Sequence, residues 1–210
     1  MPKIWEILSE IVFPSSLTER KIRRMNLGDF NTIKEVSFSS ESKVLSFFKY
    51  KNPLVKETIG QIKYKRNGRL TKIFAEIVYS ELLEEISDLS LFENFNNPIL
   101  VPVPMSNIEK RERGYNQVEL LVDEIVKISG GSLSSDFNLL RKIKNTKRQT
   151  ELKREERLEN IKGVFEIGLG VEGKNIILID DVMTTEATIN EAREILEHGG
   201  AKVFVVVMAN

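Results

Sequence analysis

Asp180 and Asp181 follow four apolar residues, Ile176-Ile177-Leu178-Ile179, and precede Val182-Met183-Thr184-Thr185-Glu186-Ala187-Thr188. Paired carboxylates at such a boundary can accept hydrogen bonds from sugar hydroxyls or help to hold Mg²⁺. Thr184, Thr185 and Thr188, with the exposed amides of a helix start, can surround a phosphate dianion. The group therefore suits a ligand carrying a ribose and a phosphate. Asp and Thr also cap helices without any ligand, and the bare spacing leaves both readings open. Two further sets of polar residues lie upstream. Pro102 and Pro104 lead into the cationic run Lys110-Arg111-Glu112-Arg113-Gly114, and Arg141, Gln149 and Arg157 are spread along a charged stretch. Either set can serve an anion or sit as solvated surface charge.

The elements that must position these residues are read from periodicity. Ile176–Ile179 and Val203–Met208 are buried strands joined by a helix over Ile189–His198 that Gly199-Gly200 end, which makes a βαβ unit with an expected right-handed crossover. Asp180 to Thr188 reads as the polar loop between the first strand and the helix. Upstream, Ile99-Leu100-Val101 is another short apolar run, and Val118, Leu121, Val122, Ile125 and Ile128 form the stripe of an amphipathic helix stopped by Gly130-Gly131. Leu54 to Ile86 carries two helical patterns separated by Lys65-Arg66-Asn67-Gly68. Arg141 to Asn160 has few apolar anchors and reads as a mobile loop leading into a helix. Together these elements imply an α/β fold with a mostly parallel open sheet flanked by helices. Ligands of such sheets sit at the carboxyl ends of the strands, so the loops after Val101 and Ile179 should line one crevice.

The N-terminal part is less regular. Ile4, Ile7, Leu8, Ile11 and Val12 suggest a short amphipathic helix stopped by Pro14, and Ser15 to about Ser46 is polar and weakly periodic. Residues 1–48 read as a small helical or irregular appendage and residues 49–210 as the main domain. The whole has 210 residues, 41% hydrophobic and 30% charged, with 31 basic and 31 acidic side chains. That composition argues against wholesale disorder and against a globally basic nucleic-acid binder. The absence of cysteine removes disulfides, thiolate zinc sites and cysteine nucleophiles, and one histidine leaves no imidazole cluster for a metal. Glu6 and Glu10 interrupt the apolar start, so no secretory signal or membrane span is read, and a cytoplasmic protein is expected.

The Asp180–Thr188 segment closely resembles the phosphoribosyl-pyrophosphate (PRPP) loop of type I phosphoribosyltransferases. Other segments narrow the resemblance to the competence-protein ComF branch of that superfamily: Val101-Pro102-Val103-Pro104, then Arg113-Gly114-Tyr115-Asn116-Gln117, then Arg141, Thr146, Gln149, Arg157 and Asn160 in order, with Ile62-Lys63-Tyr64 upstream. The resemblance implies the type I phosphoribosyltransferase fold for residues 49–210. It implies that Asp180 and Asp181 hold the ribose diol and Mg²⁺, and that Val182 to Thr188 cradle the 5′-phosphate. Pro104, Arg111, Arg113 and Gly114 would meet the pyrophosphate side, while Arg141, Gln149 and Arg157 belong to a loop that closes over the reaction centre, with Arg141 and Arg157 as catalytic cations.

Two departures stand out. Glu186 occupies a position where that family has glycine, adding a Cβ where a positive φ is expected, at a cost of about 1 kcal/mol, and a carboxylate near a dianion. The four-cysteine zinc module that the branch often carries near its N-terminus is absent, so no zinc is expected. The implied activity is Mg²⁺-dependent phosphoribosyl transfer from PRPP to an acceptor the sequence does not name. The alternative is a catalytically inactive member acting as a partner in DNA uptake or as a nucleotide sensor. In that case the basic segments, with seven excess cations over Lys49–Lys72 and five over Arg141–Arg157, would meet single-stranded DNA or a helicase, with Phe47, Phe48, Tyr50 and Tyr64 as stacking platforms or as core. Oligomeric state is left open.

Overall fold

The structure is a computed structural model that describes residues 16–39, 43–144, 163–183 and 186–210. The expected helix over residues 4–12, together with Gln149, Arg157, Thr184 and Thr185, lies outside the described residues.

The chain runs α1 (Leu17–Arg24), α2 (Leu27–Thr32), β1 (Ser37–Ser39), β2 (Val44–Phe48), α3 (Pro53–Lys65), α4 (Gly68–Glu93) and β3 (Ile99–Pro102). It continues through α5 (Asn107–Arg113), α6 (Gln117–Ile128), β4 (Ser134–Ser135), β5 (Leu140–Lys142), β6 (Phe165–Ile167), β7 (Asn175–Val182), α7 (Ala187–His198) and β8 (Lys202–Ala209). Six strands form one sheet in the order β1-β2-β8-β7-β3-β4, with β5 and β6 as a separate antiparallel ribbon. Within the sheet only β1 is antiparallel to its neighbour. The protein is therefore a mixed α/β structure around a mostly parallel sheet. The βαβ unit read from the sequence is β7-α7-β8.

Period-two alternation divides the sheet's side chains between two cores. Ile177 and Ile179 of β7 face a core shared with Ile22 of α1, Phe30 of α2, Ile59 and Ile62 of α3, Phe74 and Ile77 of α4, and Val118 and Leu121 of α6. Ile176 and Leu178 face the opposite core, with Ile189, Ala192 and Leu196 of α7 and Leu140 and Phe165 of the ribbon. Burial on both faces accounts for the near-continuous apolar composition of the central strands. On the first face Phe74 stands edge-on to Phe30 at 5.4 Å and tilted against Phe48 at 5.0 Å. Aromatic contacts of this kind add about 0.5–1.5 kcal/mol each to the area they bury.

Two differences from the sequence expectations bear on the site. β7 continues through Asp180 and Asp181 to Val182, so the two carboxylates belong to the strand and not to the loop after it. The cause is cross-strand pairing: Asp180 aligns with Val207 and Val182 with Ala209, which extends the ladder beyond the apolar run. The polar segment before residue 49 contains two capped helices and two strands. Asn26 and Asp29 make a reciprocal capping box at α2, and β2 lies beside β8 in the sheet.

Candidate functional site

The carboxyl ends of β3 and β7 lie side by side, with the Val103 amide donating to the Ile179 carbonyl at 2.8 Å. The loops expected to share a crevice do adjoin. Because β7 alternates, Asp181 continues the face of Ile177 and Ile179, while Asp180 continues the face of Ile176 and Leu178.

Asp181 is 4% exposed. Its Oδ2 accepts from Gln117 Nε2 at 2.6 Å and pairs with Lys63 Nζ at 3.0 Å. Burial pulls the Lys63 ammonium down, but its attraction to and hydrogen bond with Asp181, assisted by Asp180, outweigh burial and hold it above its ordinary value. Lys63 is thus charged at neutral pH.

Asp180 is half-buried, and one of its oxygens accepts from the Asp181 amide at 2.8 Å. Burial first, and the Asp181 charge second, push its carboxyl up to about 7, against the lowering effects of that amide, Lys63 and Lys142. Lys142 comes from β5, and its Nζ lies 3.5 Å from Glu109. Burial raises the Glu109 carboxyl, but Lys142 and the Ser106 capping bonds bring it below its ordinary value. A carboxylate kept from ionising by lack of a counter-charge, beside a lysine, suits a cation-bearing or hydroxyl-rich ligand.

The other expected residues divide by location. Val182 closes β7, and the Met183 amide donates to the Ala209 carbonyl at 2.9 Å. Glu186 precedes α7 with φ −70° and ψ −10°, is exposed and makes no side-chain capping bond. The expected positive φ and its strain are absent, because here the chain has already entered right-handed helical geometry. Ala187 and Thr188 form the first turn of α7. Pro104 is half-buried after β3, Arg111 is exposed on α5, and Gly114 ends α5 with φ +81°, a conformation that suits glycine. Arg113 turns inward: its guanidinium donates to Gln117 Oε1 and lies 5.3 Å from the Tyr64 ring centre. Arg141 is exposed and faces Glu166 across the ribbon, whereas its strand neighbour Lys142 points to the site.

Tyr115 and Asn116 complete the Arg113–Gln117 segment. The Tyr115 hydroxyl lies 2.8 Å from the carbonyls of Ile62 and Lys63 and accepts from the Arg66 amide at 2.9 Å. It thereby caps the C-terminus of α3. Asn116 caps α6 through the Val118 amide and donates to the Val103 carbonyl at 3.3 Å. Lys63, Gln117 and Lys142 are the site residues that sequence reasoning did not assign. Lys63 and Gln117 were visible as parts of motifs, and Lys142 would follow from strand alternation once β5 is recognised.

No protein-family model matches the chain. Among curated proteins, it is 33% identical over 152 residues to competence protein ComFC of Bacillus subtilis, covering 71% of this chain and 57% of that protein. It is 30% identical over 152 residues to competence protein ComFC of Streptococcus pneumoniae, covering 72% and 60%. It is 27% identical over 145 residues to DNA utilization protein YhgH of Salmonella typhimurium, covering 68% and 61%. The chain belongs to the ComF competence-protein family. It spans about six-tenths of the length of the curated ComF-family relatives it matches. Among the described residues no helix is long and apolar enough to cross a membrane.

Proposed function

We propose that this ComF-family chain carries a type I phosphoribosyltransferase fold over residues 49–210, and that it binds PRPP or a related phosphoribosyl ligand at the carboxyl end of β7. The single observation supporting this most directly is the placement of Asp180 at the end of a parallel strand. It lies beside the β3 loop, within reach of the Lys142 charge, and is followed by the turn into α7. The relatives' names, competence protein and DNA utilization protein, support a role in handling incoming DNA.

The residues fit Mg²⁺ in a limited way. Asp180 is a hard oxygen donor whose raised pKa marks an unmet demand for positive charge, while Asp181 Oδ2 is already engaged. Among the described residues no group of three or more acidic or histidine ligands converges. Such a donor set matches the habit of Mg²⁺ of binding through one or two carboxylates, water and substrate phosphates. Asp180, with Asp181 behind it, would hold the ion, which would supply charge neutralisation for a departing diphosphate. Arg111, Arg113, Lys142, Arg141, Gln149 and Arg157 would serve the pyrophosphate side, and Val182 to Thr188 the 5′-phosphate. In the transfer, the bond from the ribose C1 to the pyrophosphate oxygen breaks with its electron pair leaving on pyrophosphate. A nitrogen acceptor bonds C1 and releases a proton. The protein contributes mainly position and electrostatics.

A second reading, a non-catalytic partner for single-stranded DNA, is favoured by Tyr64. It is 74% exposed, with Arg113 over its ring and Lys65 and Arg66 exposed beside it. Phe47 and Phe48, by contrast, are fully buried core residues.

Calorimetric titration of PRPP with MgCl₂ into the wild type and Glu186→Gly tests the proposal. Binding by the wild type supports it and justifies a screen of acceptors by pyrophosphate release. Failure of both proteins to bind moves the assignment to the DNA partner.

A further inference from the structure

Resting on the reading of β7 as a phosphoribosyl-ligand site, we propose that Lys63 is a positioning residue that fixes the anion-facing loop of residues 104–117 through Asp181 and Gln117, and that Asp181 acts as the anchor of this clasp while Asp180 faces the ligand.

The side chains form a closed ring. Lys63 Nζ meets Asp181 Oδ2 at 3.0 Å, and the same oxygen accepts from Gln117 Nε2 at 2.6 Å. Gln117 Oε1 in turn accepts from Arg113, whose guanidinium stacks on Tyr64, the chain neighbour of Lys63. The Gln117 amide is fully used, with its oxygen toward a cation and its nitrogen toward an anion, so its orientation follows from its partners. Tyr115 closes the ring a second time through the Ile62 and Lys63 carbonyls. Four residues of the Arg113–Gln117 segment therefore point into the protein and bind α3, β3, α6 or β7. Only the preceding turn of α5, with exposed Arg111, is left facing outward.

Removing Lys63 would leave the Asp181 charge at 4% exposure with Gln117 as its partner on that oxygen, and the ring would open at the α3 side. Because alternation sends Asp181 to the α3 and α6 face, the lost lysine would act on the opposite face only through β7 and the loop. That is the behaviour of a positioning residue.

The test is hydrogen–deuterium exchange on the full chain for the wild type, Lys63→Met and Lys63→Arg, read separately over residues 104–117 and over β8, whose amides report global unfolding. In Lys63→Met, exchange over 104–117 is expected to rise at least about tenfold more than over β8, and Lys63→Arg is expected to restore it. An equal rise in both segments, no rise, or no rescue by arginine overturns the proposal. If Lys63→Met does not fold, Gln117→Ala, which cuts the ring on its other side, is judged by the same ratio. A parallel titration with PRPP and MgCl₂ separates this proposal from the functional reading. If the wild type does not bind, the phosphoribosyl reading fails and the exchange ratio alone decides the clasp. If it does bind, Lys63→Met weakens binding at least about tenfold and Lys63→Arg recovers most of it, and unchanged binding in Lys63→Met overturns the positioning role.

Discussion

Asp180 and Asp181 are neighbours in the chain, yet their carboxylates serve opposite faces of the sheet, Asp181 toward Lys63 and Gln117 and Asp180 toward the side of Lys142. The pair is thus one ion-paired and one charge-deprived carboxylate, and each has a separate experimental signature.

For Asp180 the signature is pH. Folding pushes its carboxyl up to about 7, first through burial and then through Asp181. In an unfolded chain it titrates near the ordinary value of about 3.9. Between those two values the native state binds more protons than the unfolded state, so this group lowers stability as pH rises from about 4 to about 7, and the loss levels off above that. Asp180→Asn removes the slope. Thermal melts should nearly coincide for variant and wild type at pH 4, with the variant higher by several degrees at pH 8. Parallel pH profiles for the two proteins would refute the assignment.

The Tyr115 hydroxyl serves three backbone groups at the end of α3. Tyr115→Phe keeps the ring and its contact with Arg66 but leaves those groups to find water. A loss of about 1–2 kcal/mol in urea unfolding is expected, with an unchanged denaturant slope. A loss below about 0.3 kcal/mol would show that solvent replaces the cap without cost.

Gly168 follows the ribbon strand β6, and a Cβ there would lie 2.0 Å from the Asn138 carbonyl oxygen, a backbone atom with no freedom to swing aside. Gly168→Ala should therefore cost about 1–3 kcal/mol or more, read as a lowered melting temperature. The nearby Gly170, whose added Cβ would meet only the end of the Lys174 side chain at 4.0 Å, has φ +75°, so Gly170→Ala reports backbone strain alone and makes the paired control.

On the ribbon itself, Lys142 and Arg141 should separate cleanly. If the site takes PRPP, Lys142→Met is expected to weaken Mg²⁺-PRPP binding by about tenfold, because its charge acts inside a half-buried site. Arg141→Ala, removing an exposed side chain opposite Glu166, should change it by less than about twofold. The reverse order in calorimetry would place Arg141 at the ligand.

Much of this architecture is legible in the residues. Ile99–Val101, Ile176–Ile179 and Val203–Met208 are apolar because both of their faces are covered, and the stripes on α4 and α6 follow the helical period. β2 escaped the reading because Val44–Phe48 is a strand only by virtue of its pairing with β8, a partner no local pattern reveals. The three-residue strands of the ribbon are too short to show a period. At the site, the carboxylates and the cationic segment were recognisable by type. Their division between faces was not, since it depends on β7 extending two residues beyond its apolar run. Glu186 illustrates the same limit: a residue type that suggests strain sits in ordinary helical geometry because α7 begins around it.

The position of β8 has a consequence for how the molecule is made. It lies between β2 and β7 in the middle of the sheet, although it occupies residues 202–209, and the Lys49–Asn210 hydrogen bond at its end joins positions 161 apart. During synthesis the helices of α1 to α4 can form from local contacts, but the seam between β2 and β7 stays open until nearly all of the 210 residues have left the ribosome. A premature stop near residue 200 would therefore split the sheet at its centre, exposing two long apolar edges at once, and such a fragment should aggregate instead of persisting as a shortened fold.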